Sequence, residues 1–250
     1  MLSTNIQNFQ KEIRILSLIS ILGIIVLSSY LLIDNFLLES PESSLKSKFY
    51  TENLRGDVIH TWKYWNIVKE QPLYVNIIDS DKFSLEKIEI IKNSILSRDD
   101  IIKNKLGVHN LYYVGWVGAL EHVKERQTTF NVPTNFVFVD SSEKSGDIMI
   151  HLSTLKDEDG IAGFTKLTVE DETILRSHIT IFDFDELSNQ EISAISKHEF
   201  GHALGLSHST DPQDIMYPTV ELTNPYISEC NLDALYSLYN DESKEIVCKK

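Results

Sequence analysis

The chain is poor in cysteine and in basic residues. Its 250 residues include only two cysteines, Cys230 and Cys248. These would form a disulfide outside the cell or remain as two free thiols. With 23 basic against 37 acidic residues, the formal net charge is −14. An acidic chain without a basic stripe argues against a nucleic-acid partner and suits an extracytoplasmic domain that stays soluble through its charge.

Charged residues are absent from one long stretch near the N-terminus. Residues 15–33 form an uncharged run of 19 residues, which as a helix would span roughly 28 Å, close to the hydrocarbon core of a bilayer. Lys11 and Arg14 precede the run and acidic residues follow it, so the positive-inside bias places the N-terminus in the cytoplasm. We expect an uncleaved, single-pass anchor with the rest of the chain outside. A cleaved signal peptide, which would make the protein secreted, and a buried core helix are the alternatives.

Histidine is scarce, with eight in the chain, yet three lie within eleven residues, in the stretch His-Glu-Phe-Gly-His-Ala-Leu-Gly-Leu-Ser-His at 198–208. On a helix, His198 and His202 leave the same face and can bind one Zn²⁺. Gly205 can adopt a positive φ, so the helix can end there and the chain can return with His208 as a third ligand. Three histidines leave the fourth tetrahedral position open, as in catalytic zinc sites. Glu199 is the candidate general base.

The flanking residues predict that this stretch begins as a helix. Ser188, with Glu191 three residues later, makes a capping box. The helix would run from about Asn189 to Leu204 and end at Gly205. Four apolar residues form one stripe along it: Ile192, Ile195, Ala203 and Leu204. The alternative interpretation is an ordinary amphipathic helix with incidental histidines.

A methionine lies shortly after the third histidine. It is Met216, within the sequence Asp-Ile-Met-Tyr-Pro at 214–218, and the chain has only three methionines. The segment 198–218 resembles the metzincin zinc endopeptidases. Ser209 after the third histidine, together with the Asp-x-Met-Tyr-Pro ending, makes it similar to the matrixins within that clan. The resemblance implies that Met216 is the Met-turn residue, a hydrophobic floor beneath the three histidines.

The resemblance also implies a fold class and a domain organisation. The fold is α+β, a metzincin (zincin-like) catalytic domain with a twisted mixed sheet, an active-site helix, a Met-turn and a C-terminal helix, preceded by one transmembrane helix. The chain would comprise a cytoplasmic N-terminus at 1–14, a transmembrane anchor at 15–33, a juxtamembrane linker at 34–56 and the metzincin-like catalytic domain at 57–250.

Periodicity within 57–250 predicts elements that suit such a domain. A strand is expected at 73–78 and a helix at 84–96, and 111–117 reads as a strand inside a variable insertion at 98–132. Further strands and a closing helix are predicted downstream: strands at 136–140, 147–152, 160–165 and 178–183, and the helix at 228–239.

Residues 160–165 resemble the edge strand that borders a metzincin cleft. An edge strand has unpaired backbone groups, so an extended peptide can add to it as a further strand. Ala162 and Gly163 are therefore candidate substrate-binding residues. By the same resemblance, Pro218, Thr219 and Val220 would line one wall of the pocket after the scissile bond.

The resemblance implies one catalytic Zn²⁺, held by His198, His202 and His208. A second, structural Zn²⁺, which matrixins usually carry, would have to use His151, Asp157 and His178, whose spacing does not reproduce the family pattern. Ca²⁺ is compatible with the acidic composition, but no EF-hand loop is present. Matrixin precursors block their zinc with an upstream cysteine. Because no cysteine precedes Cys230, we expect any latency to work in another way.

The function expected from these features is that of a membrane-anchored zinc endopeptidase. It would hydrolyse peptide bonds of polypeptide substrates with a metal-activated water and Glu199 as the general base. Two alternatives stay open. One is a non-catalytic zinc- or peptide-binding module, in which Glu199 would be dispensable. The other is a zinc hydrolase that acts on a non-peptide substrate.

Overall fold

The computed structural model describes most of the chain downstream of residue 57 and one short segment before it: residues 45–47, 58–105, 108–139, 145–220, 222, 224–242 and 245–247. The predicted N-terminus at 1–14 and anchor at 15–33 lie outside these residues, as does most of the predicted linker at 34–56. Among the residues described, no helix is both long enough and apolar enough to cross a membrane.

A mixed seven-stranded sheet forms the centre of the domain. Its strands are β1 (Leu45–Ser47), β3 (Leu73–Ile78), β6 (Phe136–Val139), β7 (Ile148–Leu152), β8 (Ile161–Glu170), β9 (Thr173–Ile181) and β11 (Thr219–Val220). Their spatial order is β11-β1-β8-β9-β7-β3-β6. β3 is parallel to both β6 and β7, and β7 is parallel to β9, whereas β8 runs antiparallel to β9. The sequences of β3 and β7 are short, mainly apolar runs, because both faces of each strand are largely buried.

Two three-stranded sheets flank the central one. The first has the order β10-β2-β13, with β10 (Leu206–Ser209), β2 (Val58–Thr61) and β13 (Glu245–Val247). The second has the order β12-β5-β4, with β12 (Ile227–Ser228), β5 (Val108–Tyr113) and β4 (Asp100–Lys105). Through β10, the first of these sheets includes one of the predicted zinc ligands.

Four α-helices lie within the described residues: α1 (Leu85–Leu96), α2 (Trp116–Glu125), α3 (Asn189–Ala203) and α4 (Glu229–Tyr239). Helix α3 packs on α1 and against β8, and α2 packs on α4. The fully buried Trp116 joins two of these helices, because its indole N–H donates to the Lys197 carbonyl at 2.9 Å. The mixed sheet, the central helix and the closing helix fit the expected α+β class.

Most predicted elements are confirmed within a few residues. The strand at 73–78 and the helix at 84–96 are present, and Ser84 caps that helix by accepting a hydrogen bond from the Lys87 N–H. The predicted strands at 136–140, 147–152, 160–165 and 178–183 correspond to β6, β7, β8 and β9, and the closing helix corresponds to α4. β8 and β9 extend into a longer hairpin than predicted, since β8 continues beyond Thr165 to Glu170 and β9 begins already at Thr173.

The prediction of a strand at 111–117 is wrong in its second half. β5 ends at Tyr113, and helix α2 begins at Trp116 with Gly115 as its N-cap. A Cβ at Gly115 would lie 2.7 Å from the Ser97 backbone nitrogen, so the chain turns where only glycine fits. Apolar residues at the start of a buried helix therefore read like the end of a strand. Within the predicted variable insertion at 98–132, the described residues form a hairpin and a helix that packs in the core.

The expectation that residues 160–165 form an edge strand is also corrected. In the structure, β1 pairs with the outer side of β8, and β11 pairs with the far side of β1. The polar composition around residues 45–47 gave no strand signal, because alternation over three residues is too short to detect.

Cys230 is disulfide-bonded in the structure. The other cysteine, Cys248, lies outside the described residues. Of the two states that the sequence left open, the structure has the disulfide.

Candidate metal centre

Helix α3 presents the first two predicted ligands. Its N-terminus is a capping box, in which the Ser188 hydroxyl accepts from the Glu191 N–H at 3.3 Å and the Glu191 carboxylate accepts from the Ser188 N–H at 2.8 Å. The helix then continues to Ala203, one residue short of the predicted end. His198 and His202 are four residues apart within it and therefore leave one face.

Gly205 ends the helix and reverses the chain. Its φ is +100°, a conformation that costs glycine little and other residues much. A Cβ there would also collide with the carbonyl oxygen of Lys63. The Gly205 carbonyl accepts from the Trp62 N–H at 2.8 Å, and the following strand β10 pairs antiparallel with β2. This turn brings His208 back over the two helix histidines.

The three histidines converge on one point. Their candidate ligand nitrogens all lie within 4.8 Å of one another, and all three side chains are buried. The Nε2 atoms of His198 and His202 are 3.1 Å apart. Two ligands of a tetrahedral zinc with bonds of 2.0–2.1 Å would be about 3.3 Å apart. His198, His202 and His208 thus form a potential zinc-binding site.

The hydrogen bonds of the two helix histidines favour a cation between them. The Nδ1 of His198 lies 2.7 Å from the Ile215 carbonyl, and the Nδ1 of His202 lies 2.8 Å from the Leu206 carbonyl. A carbonyl oxygen only accepts, so each Nδ1 carries the proton. Burial lowers the pKa of His198 to about 4 and that of His202 well below its usual value, so both rings are neutral at pH 7. Each Nε2 therefore holds a lone pair, and two lone pairs 3.1 Å apart repel unless a metal ion accepts both.

Glu199 is buried next to the first ligand. The Thr165 hydroxyl of β8 donates to its Oε2 at 2.7 Å. Burial raises the pKa of Glu199 to about 8, and the hydrogen bond from Thr165 opposes that rise. A cation held by the histidines would favour the carboxylate form, in which Glu199 can accept a proton.

Strand β8 passes directly over this carboxyl group. A Cβ built on Gly163 would lie 2.6 Å from Oε1 of Glu199 and 2.8 Å from its Cγ. Only glycine therefore lets β8 approach Glu199 this closely while Thr165, two residues on and on the same side of the strand, still reaches Oε2. The strand thereby fixes both the position and the orientation of the carboxyl group.

The turn around Met216 closes the floor of the site. Met216 is fully buried, and a Cβ on Gly201 of α3 would collide with its sulfur, so helix and methionine are in close contact. The buried Asp214 shapes this turn. Its Oδ1 accepts from the Met216 N–H at 2.8 Å and from the Asn231 side chain at 2.9 Å, and its Oδ2 accepts from the Ser228 hydroxyl at 2.8 Å. Asp214 thus ties the turn to the capping box of α4.

The predicted substrate-binding residues lie on two strands. Ala162 and Gly163 are in β8, and Thr219 and Val220 form β11, directly after Pro218. These strands are not neighbours, because β1 lies between them and pairs with both. The structure therefore places the two predicted substrate-binding segments, in β8 and β11, on opposite sides of β1.

The residues suggested for a second zinc do not form a metal cluster. The rings of His151 and His178 stack with their centroids 6.0 Å apart, and burial lowers the pKa of His178. The Asp157 carboxylate accepts from the backbone N–H of Asp159 in its own loop at 3.0 Å. Within the part of the chain that is described, the group 198, 202 and 208 is the one found with suitable metal-ligand geometry.

Thr165 and Asp214 are site residues that sequence reasoning missed. Strand alternation from Gly163 could have placed Thr165 on the same side of β8. Asp214 lies within the Met-turn motif itself, but its carboxylate faces Ser228 and Asn231, which are distant in sequence, so only the tertiary structure reveals its partners.

Comparison with known proteins finds a family that this part of the chain resembles. Residues 119–240 match the family model for matrixin, a span that includes the three histidines and Met216. The chain is 34% identical over 105 residues to matrix metalloproteinase-18 of Xenopus laevis, which is 41% of this chain and 20% of that protein. It is 66% identical over 32 residues to human matrix metalloproteinase-20, covering 13% of this chain and 7% of the relative.

A third relative is also similar to the chain over a short segment. The chain is 36% identical to human neutrophil collagenase over 62 residues, which is 24% of this chain and 13% of that protein. The chain therefore spans a fifth or less of the length of these three relatives.

Proposed function

We propose that this chain, which is matrixin-like over residues 119–240, is a zinc metalloendopeptidase that hydrolyses peptide bonds in polypeptide substrates. The observation that carries this proposal is the centre in which three buried histidines converge next to Glu199. A non-catalytic zinc-binding module would gain nothing from a carboxyl group whose position depends on both Gly163 and Thr165.

His198, His202 and His208 would hold the zinc ion, with the carbonyls of Ile215 and Leu206 orienting the two helix imidazoles. When bound there, zinc supplies a water of lowered pKa and polarises the scissile carbonyl. Glu199 takes up the proton of the attacking water and returns a proton to the leaving amine, and Thr165 keeps its carboxylate pointing into the site. Met216 supports the ligands from below.

The substrate is proposed to lie extended between β8 and the segment 218–220. Backbone groups at Ala162 and Gly163 would pair with it on one side, and those at Pro218, Thr219 and Val220 would face it on the other. Support comes from the positions of these strands, which flank an extended segment of this chain at the register of Glu199.

A general-base role for Glu199 is tested with Glu199→Gln in the full-length, zinc-loaded protein. Hydrolysis of casein or of a quenched fluorescent peptide is expected to fall by about 10²–10⁴-fold, while zinc content stays at one ion per chain. The control is Glu121→Gln, which removes an exposed carboxylate that pairs with Arg98 at 3.0 Å. An unchanged rate with zinc bound would refute the role of Glu199. Stoichiometric zinc without any chelator-sensitive hydrolysis would instead favour the binding-module alternative.

We further propose that the protein is anchored by residues 15–33 and that its catalytic domain is extracytoplasmic. The uncharged run and the charges around it support an anchor, and the disulfide at Cys230 supports an oxidising compartment. Membranes from expressing cells test this directly. The protein should resist alkaline extraction, and protease added from outside should digest the catalytic domain. Complete release by alkaline extraction would contradict the anchor and point to the secreted alternative.

A further inference from the structure

The cleft between β8 and β11 already contains a strand of the chain itself. β1, at residues 45–47, pairs parallel with β8, with Lys46 opposite Ile161 and Ser47 opposite Gly163. On its other side it pairs antiparallel with β11, with Leu45 opposite Val220 and Lys46 opposite Thr219. β1 therefore uses backbone groups of both walls that the proposed substrate would need.

The register of β1 places it at the catalytic centre rather than at one end of the cleft. Ser47 lies opposite Gly163, and Gly163 is the residue whose Cα abuts the Glu199 carboxyl group. Neighbouring strands are about 4.8 Å apart. The backbone of β1 thus passes about one strand spacing from the strand residue that touches the proposed general base.

We propose that residues 45–47 are an internal inhibitory strand, which holds the proposed peptidase latent by filling its substrate cleft without any cysteine. The inference rests on the proposed function, because it assigns a regulator to the same site. An extended peptide adds to β8 through the backbone groups that β1 now pairs with, so peptide and β1 exclude each other. Such a block needs no cysteine, and the sequence has none before Cys230.

Tethering makes such a short strand effective. β1 belongs to the same compact unit as the site, since residues 44–250 form one unit, and it is joined to β2 by residues 48–57. A segment on so short a tether competes at an effective concentration on the order of millimolar. Substrates at micromolar concentration would be outcompeted roughly tenfold or more even if they paired with β8 somewhat more strongly.

Proline at position 46 tests the inference in the full-length chain. Because β1 has partner strands on both edges, every N–H of the strand faces a partner, and proline removes one. Lys46→Pro should raise kcat/KM on a quenched fluorescent peptide at least about tenfold over wild type. Lys46→Ala keeps the backbone N–H and should behave as wild type. The double variant Lys46→Pro/Glu199→Gln should be inactive, which assigns the gain to this site.

Hydrogen exchange of the segment 160–165 gives a readout that does not depend on catalysis. Its amides should exchange faster in Lys46→Pro than in wild type or Lys46→Ala, since the outer side of β8 becomes exposed. A synthetic peptide with the sequence of residues 42–50, Glu-Ser-Ser-Leu-Lys-Ser-Lys-Phe-Tyr, should restore both the protection and the inhibition when added to Lys46→Pro.

The outcomes separate the two proposals. Unchanged exchange at 160–165 in Lys46→Pro, or a rate equal to wild type in an otherwise active enzyme, would overturn the inhibitory strand. Faster exchange that the peptide reverses, with no hydrolysis by any variant, would uphold the position of β1 and count against the proposed peptidase activity instead.

Discussion

Gly163→Ala adds one methyl group where β8 meets the proposed general base. The new Cβ would lie 2.6, 2.8 and 2.9 Å from the Oε1, Cγ and Cδ atoms of Glu199, whereas such atoms prefer separations of about 3.5–4.0 Å. The carboxyl group must therefore move by roughly 1 Å. A misplacement of that size in a catalytic group costs about 10²-fold in rate, which corresponds to about 2.7 kcal/mol of activation free energy.

The assay is kcat for a quenched fluorescent peptide, measured beside the zinc content of each protein. We expect kcat to fall about a hundredfold while one zinc remains bound, because the methyl group faces Glu199 and none of the three histidines. Gly160→Ala is the matched control. It adds the same methyl group just before β8, where nothing lies within 4 Å. Its positive φ of +73° costs alanine about 1 kcal/mol of backbone strain, so this control should keep wild-type kcat despite some loss of stability. Wild-type kcat in Gly163→Ala, or loss of zinc from a folded protein, would refute this account of how Glu199 is positioned.

Three further predictions concern groups around the centre. Thr165→Val removes the hydroxyl that lies 2.7 Å from Glu199 and should lower kcat more than it raises KM, as measured by steady-state kinetics; a change in KM alone would contradict it. Asp214→Ala leaves the Met216 N–H, the Ser228 hydroxyl and the Asn231 amide without their acceptor. It should lower the free energy of unfolding, measured with urea, by roughly 2–5 kcal/mol, whereas Asp214→Asn should lower it only a little. Burial lowers the pKa of Lys197 to about 8, below its unfolded value near 10.5, so between these values the unfolded chain binds more protons. The free energy of unfolding of the wild type should therefore rise between pH 8 and pH 10.5, by up to about 3 kcal/mol more than that of Lys197→Met. If both proteins show the same dependence on pH, burial does not penalise the charge of Lys197.

The local parts of the site could be predicted from the sequence because each is set within a few residues. A four-residue spacing fixes the common face of His198 and His202, and a glycine at 205 permits the reversal that delivers His208. The capping box at Ser188 needs only its own turn of helix. These features depend on backbone geometry that every chain shares.

The parts that escaped prediction depend on contacts between distant segments. The roles of Thr165 and Asp214 come from partners more than ten residues away. Strand alternation indicates the side of β8 on which Thr165 lies, but it does not reveal that Glu199 is its partner. Trp116 and Val117 read as the end of a strand because the first five residues of their helix are all buried, and such a run lacks the one-sided period that identifies a helix. β1 was missed for a similar reason, since three residues acquire strand geometry only through the partners on either side.

The central claim, that three histidines hold one zinc ion on which peptide hydrolysis depends, is tested most directly by a zinc titration of chelator-stripped protein. The rate of peptide cleavage should rise linearly with added zinc and level off at one equivalent, and His202→Ala should show no such rise. Cleavage that survives chelation, or a zinc dependence that is the same in His202→Ala, would contradict the account.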